Sequence, residues 1–136
     1  MTLRIIIPGL PPREIRGNYH PRTRAMAEAR RRQSDWWKAT AGYAIIDARN
    51  RSGNASAWKN LSRIKVVVTY VLENNRRIDT DNLEGQAMKP CWDAMVDVNL
   101  ITDDRHQVIY ERTYKAEIDP KRGPATIVEI MRECDQ

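Results

Sequence analysis

Arg63-Ile64-Lys65-Val66-Val67-Val68-Thr69-Tyr70-Val71-Leu72-Glu73 is the stretch on which the fold turns. It is dense in β-branched side chains and partly alternating, which suits a pleated surface and reads as a strand. Asn74 to Arg77 ends it as a polar turn. On its N-terminal side, Ala25 to Arg49 has helical periodicity. There Trp37, Ala41, Ala44, Ile45 and Ala48 recur at spacings of three and four and form one apolar stripe. On its C-terminal side a second helical stripe runs through Leu83, Ala87, Cys91, Ala94, Met95 and Val98. Gly85 and Pro90 weaken its first half, and proline removes a backbone donor, so a kink or restart is expected near Pro90.

Further out, Thr2 to Ile7 reads as a short strand whose successive isoleucines, Ile5, Ile6 and Ile7, suit a buried position. Pro8, Gly9, Pro11 and Pro12 stop it. Gln107 to Ile118 is a strand with Val108, Tyr110, Arg112 and Tyr114 on one face, and Ala125 to Met131 is a last strand. The order β-α-β-α-β-β predicts an α+β fold. A mixed sheet of about four strands and two main helices would form a single domain over residues 1–136.

The chain has 136 residues, 41% hydrophobic and 30% charged, which fits one globular core and excludes a disordered chain. No apolar run approaches the roughly 18 residues of a membrane span, so no membrane partner is expected. The start has neither the basic leader nor the cleavage site of a signal peptide. Cys91 and Cys134 give no disulfide framework, and a reducing, cytoplasmic compartment is expected.

Charge is unevenly distributed. Residues 1–72 carry 14 basic side chains against 4 acidic, residues 73–104 carry 3 against 8, and residues 105–136 balance at 6 each. A basic half attracts phosphates. An acidic island in the same chain would repel DNA unless cations neutralise it.

That island holds the chemistry. Asp79 and Asp81 stand two apart at the end of a strand, where alternate residues project to one side. Paired carboxylates suit a hard cation such as Mg²⁺, because carboxylate and water oxygens are its preferred ligands. Asp81 has a second reading: with Glu84 three residues on, it matches a helix cap. Asp103-Asp104 lies just before the next strand, either as a polar turn or as a second acidic pair returned to the first. Lys89 lies between them, four residues before Asp93, the spacing of a helical ion pair.

Taken together, Asp79-Thr80-Asp81-Asn82-Leu83, Lys89, Trp92-Asp93-Ala94-Met95, Ile101-Thr102-Asp103-Asp104 and Gln107-Val108 resemble the RusA family of Holliday-junction resolvases. The likeness is most specific from Arg77 to Val108. It is weaker over Ile7-Pro8-Gly9-Leu10-Pro11-Pro12 and Asn18-Tyr19. It adds little between Gly42 and Leu61 or after Tyr110. In the shorter form of that family the lysine follows D-N-L almost at once; here the stretch Glu84 to Met88 adds about one helical turn.

The resemblance implies a RusA-like fold in a homodimer that cuts branched, four-way-junction DNA. Asp79, Asp81 and Asp104 would be the metal ligands, with Mg²⁺ or substituting Mn²⁺. Lys89 would complete the catalytic set beside the scissile phosphate. Arg22, Arg24, Arg30, Arg31, Arg32, Arg76 and Arg77 are candidates for phosphate contacts, which position DNA and carry little sequence information. Tyr19, His20, Trp36 and Trp58 are candidates to stack at a branch, although Trp36 also suits a core or a dimer interface. Two other readings stay open: a non-catalytic DNA-binding module, and a related nuclease acting on forks or flaps.

Overall fold

The computed structural model describes residues 1–74 and 80–132. β1 spans Thr2–Pro8, α1 Arg24–Arg51, β2 Ile64–Leu72, α2 Lys89–Asp97, β3 Ile109–Ile118 and β4 Ala125–Arg132. The order is the expected β-α-β-α-β-β. The four strands form one mixed sheet in the spatial order β1-β4-β2-β3. β4 runs antiparallel to both β1 and β2, whereas β2 and β3 are parallel. The result is a single small α+β domain.

The helices cover one face of the sheet. Leu3, Ile5 and Ile7 of β1 meet Ile64, Val66, Val68 and Tyr70 of β2 and Val128 and Ile130 of β4 in the core. Trp37, Ala41 and Ile45 of α1 close it from above, together with Cys91, Trp92 and Met95 of α2. The isoleucine run of β1 is not uniformly buried: Ile6 is 56% exposed. β1 is an edge strand under a one-sided layer, so strict alternation decides which isoleucine is inside.

α1 runs two residues past the expected end. Thr23 caps its start by accepting the Met26 N–H at 3.1 Å. Near its last turn Arg49 is buried and donates to the Val98 carbonyl at 2.8 Å, tying α1 to the end of α2. A cation at a helix C-terminus also complements the helix dipole. Trp58, expected as a stacking residue, is only 2% exposed and belongs to the core. Gly123, in the β3–β4 connection, lies so close to Leu72 that a Cβ there would meet the Leu72 carbonyl carbon at 2.8 Å. A larger residue would force the two segments apart.

One departure decides where the chemistry sits. The helical stripe expected from Leu83 onward is instead two 3-10 turns, Thr80–Leu83 and Gly85–Met88, followed by α2. Gly85 has φ 58°, a left-handed conformation that glycine accepts without strain, and it separates the turns. α2 restarts at Lys89 with Pro90 in its first turn, where no helical donor is lost. Asp81 with Glu84 therefore caps no α-helix.

Candidate active site

In a regular βαβ unit the chain leaves one end of the sheet and re-enters at the other. Leu72 pairs with Ile118 and Ile64 with Ile109, so the residues after β2 and those before β3 start at opposite ends of the parallel pair. The strands are about 30 Å long at 3.3 Å per residue. α2, with nine residues, spans only about 14 Å. The two 3-10 turns make up the difference by carrying the chain back over the inner face of β2 and β3.

Aromatic residues fix that path. Tyr70 of β2 donates its hydroxyl hydrogen to the Leu83 carbonyl. Its ring stacks on Tyr114 of β3 with centroids 6.4 Å apart. The Gly85 backbone lies near enough to the Tyr114 hydroxyl to oppose the rise in its pKa that burial imposes. Two residues back along the same face of β3, Arg112 donates from Nη2 to the Asp104 carbonyl at 2.9 Å. Its guanidinium lies 5.3 Å from the centre of the Trp92 ring. The turn bearing Asp81 is thus anchored on β2 and the turn bearing Asp104 on the adjacent strand β3.

Lys89 closes the arrangement. Its ammonium donates to Asp104 Oδ2 and pairs with Asp93 Oδ1 at 3.1 Å. The Asp104 hydrogen bond, with Asp93 adding to it, raises the Lys89 pKa above its ordinary value. Lys89 is therefore a fixed cation at neutral pH and no general base. The Asp104 side chain is 20% exposed, so its carboxylate faces a partly dry surface beside that cation. The Glu84 carboxyl is pushed above its ordinary range by desolvation and by the nearby charge of Asp81.

The proline-rich start reaches this region too. The Gly17 N–H donates to the Asn82 carbonyl at 3.0 Å. A Cβ on Gly17 would approach Asn82 Oδ1 to 3.3 Å, so the small residue allows the contact. Arg30 and Ser34 of α1 face Gln86, Lys89 and Asp93 across a groove of about 150 Å³.

Lys89 and Asp104 therefore meet directly, while the turn bearing Asp81 is tied through the Leu83 carbonyl to Tyr70 of β2. Asp79, Arg76 and Arg77 lie outside the described residues. Asp103 turns aside to pair with Arg105 at 2.7 Å. Arg22, Arg31 and Arg32 are exposed, and Arg24 reaches solvent beside Glu28. Arg30 is half-buried and engaged: it donates to the Glu14 carbonyl at 3.1 Å and to the Tyr19 carbonyl at 3.0 Å. Its guanidinium also sits over the Tyr19 ring. Of the stacking candidates, Tyr19 is thus partly covered by Arg30, while His20 and Trp36 are exposed.

Sequence reasoning missed Arg112. Its signal was an arginine on the inward face of a strand, between two aromatic positions, where a charge has no reason to be unless it holds something. Its Nε is shut off from solvent and meets no acceptor among the described residues.

Among the described residues no three acidic, histidine or cysteine side chains are grouped closely enough to hold a metal ion. The donor chemistry nevertheless suits a hard divalent cation. Asp81 raises the Glu84 carboxyl pKa by its charge, and Asp104 is paired with the Lys89 ammonium. Among the described residues no helix is long and apolar enough to cross a membrane. No family model and no curated protein matches the chain.

Proposed function

We propose that the chain is a Mg²⁺-dependent endodeoxyribonuclease that resolves four-way junctions in DNA recombination and repair. The observation that carries the reading is that Lys89 bridges to Asp104, whose turn is held by Arg112 of β3, while the turn of Asp81 is tied to Tyr70 of the adjacent strand β2. The likeness to the RusA family supports the same residues. Asp81 and Asp104, with Asp79, would hold Mg²⁺ or Mn²⁺. When bound, the metal supplies an activated water for attack on a phosphodiester and stabilises charge on the leaving oxygen.

The chain's own groups do the rest. Lys89 stays protonated, so it offers a positive charge to a phosphate and to the extra charge that builds on it during attack. Asp93 and Asp104 hold that ammonium in place until DNA arrives. Arg112 fixes the Asp104 turn against Trp92. Arg22, Arg24, Arg31 and Arg32 present charge for backbone contacts, which makes binding fall steeply with salt. A junction needs two symmetric nicks, so a two-fold homodimer with one site per subunit matches the substrate.

Asp81→Asn and Asp104→Asn should each abolish Mg²⁺-dependent nicking of a labelled four-way junction while leaving gel-shift binding of that junction intact. Full nicking by either variant sinks the reading. Competition with forked and linear duplex then decides whether junctions or other branched DNA are preferred. A module that only binds DNA would cut none of them, with or without Mg²⁺.

A further inference from the structure

Between α1 and β2 the chain builds a second, polar groove. After the short turn Ala55–Trp58 it runs through Lys59, Asn60, Leu61 and Ser62 toward β2. Ser56, Lys59, Asn60 and Ser62, with Arg132 from the end of β4, line a space of about 450 Å³. Asn60 and Asn99 are both left-handed, at φ 53° and 60°, a conformation asparagine tolerates better than most side chains. The Asn60 N–H donates to the Asn99 carbonyl at 2.7 Å, which ties this wall to the end of α2. Arg132 is anchored as well. Its guanidinium donates to the Ala57 carbonyl and lies 5.7 Å from the centre of the Trp58 ring.

Each polar side chain of that lining can donate a hydrogen bond, and none is a carboxylate. Other grooves of the molecule differ. The one beside Lys89 contains Asp93, and the one between α1 and α2 contains Asp35 and Asp97. Lys59 is exposed and makes no ion pair among the described residues. Two cations and three neutral donors gathered without a counter-charge suit an oxyanion, and a phosphodiester offers such oxygens. We infer that this groove is a second phosphate site, which holds the backbone of a DNA strand away from the phosphate at Lys89.

Position favours a DNA strand over a free phosphate. The Leu61 N–H donates to the Leu100 carbonyl at 2.9 Å, and the Thr102 N–H donates to the Leu61 carbonyl at 3.1 Å. Asp104 stands two residues past Thr102. Its backbone therefore lies within about 12 Å of Leu61, from the reach of two residues and the spacing of paired strands. One strand of a duplex advances roughly 3.4 Å per nucleotide. A strand seated at Lys89 thus reaches the groove after a few nucleotides. The inference takes its ligand from the nuclease reading; the donors stand apart from it.

Fluorescence anisotropy of a labelled four-way junction, in EDTA and over a range of salt, is the experiment. Lys59→Ala should flatten the slope of log affinity against log salt by about 0.9, the share of one phosphate contact. Its deficit relative to the wild type should then shrink about 3.5-fold between about 50 and 200 mM salt. Ser62→Asp should weaken binding too, by placing a carboxylate in the groove. Lys121→Ala removes the same charge from the other end of the sheet, past Ile118 and its partner Leu72, and should leave the slope unchanged. A wild-type slope in Lys59→Ala, wild-type affinity in Ser62→Asp or an equal change in Lys121→Ala overturns the inference. So does a wild type that binds no junction. Calorimetric binding of inorganic phosphate at micromolar concentration, abolished in Lys59→Ala, would assign the groove to a small phosphate ligand and overturn it as well. Cleavage keeps the two readings apart. A chain that binds with the expected slopes but never cuts with Mg²⁺ sinks the nuclease alone, and one that cuts while Lys59→Ala keeps the full slope sinks this site alone.

Discussion

α1 and the stretch from Thr80 to Asp104 are the two long segments packed on the same sheet, and they are built on opposite principles. α1 is one regular helix whose periodicity alone says which side is buried; its arginines, apart from Arg30 and Arg49, reach water. The acidic stretch is short, broken, and held in place by individual hydrogen bonds from Tyr70 and Arg112, with Tyr114 stacked on Tyr70. Irregularity here lets Leu83 reach Tyr70 before the chain restarts as α2 at Lys89. Apolar burial should therefore dominate stability in the first region, while single polar contacts should dominate function in the second.

The largest expected effect breaks the regular region. Trp37→Ala removes a fully buried ring from the α1–sheet contact and should cost about 3–5 kcal/mol in chemical denaturation. A loss under about 1 kcal/mol would mean that α1 is not integral to the core. Tyr70→Phe comes next. It leaves the Leu83 carbonyl unpaired in a buried place and should cost about 1–3 kcal/mol. It should also loosen the Thr80–Met88 segment in hydrogen exchange while protection in α1 persists. Equal loosening of both segments would erase the contrast.

Alkaline pH gives a graded effect on the same core. Burial pushes the Cys91 thiol from 9.0 up to about 12, and burial also raises the Tyr70 hydroxyl. Below pH 9 the Cys91 thiol is neutral in both folded and unfolded chains, so it adds no pH dependence. Above that the unfolded chain releases a proton that the folded chain retains. Stability is lost as pH rises from about 9 toward 12, by up to about 1.4 kcal/mol per pH unit from this one thiol. Denaturation midpoints from pH 8 to pH 10.5 should show the fall, a window set by those values, and Cys91→Ala should flatten it. An unchanged slope in Cys91→Ala would contradict the assignment.

The smallest effect on stability should have the largest effect on chemistry. Lys89→Met removes a pair whose lysine side is 55% exposed and should change stability by about 1 kcal/mol. It should nevertheless eliminate junction cleavage. If the variant cuts at the wild-type rate, the lysine has no part in the reaction.

The same contrast explains what the sequence disclosed. The strands and α1 were legible because each buries one face and writes that face into its periodicity. Ile6 escaped because a run of isoleucines hides the alternation that an edge strand imposes. The site residues Asp81, Lys89 and Asp104 were legible as types and spacings. The two 3-10 turns that precede α2 were not, because they depend on Tyr70 and the left-handed Gly85 acting over distances that no local pattern records. Arg112 was hidden for the same reason: its partners are Trp92 and the Asp104 backbone, twenty and eight positions away in the chain.

Binding of Mn²⁺, followed by electron paramagnetic resonance on the purified chain, tests the central claim most directly. Asp81 and Asp104 belong to different turns, so an ion they share should be lost when either is changed to asparagine. The expected result is saturable Mn²⁺ binding to the wild type, displaced by Mg²⁺, and comparable weakening in Asp81→Asn and Asp104→Asn. Wild-type Mn²⁺ affinity in Asp104→Asn would show that the two turns hold no cation in common.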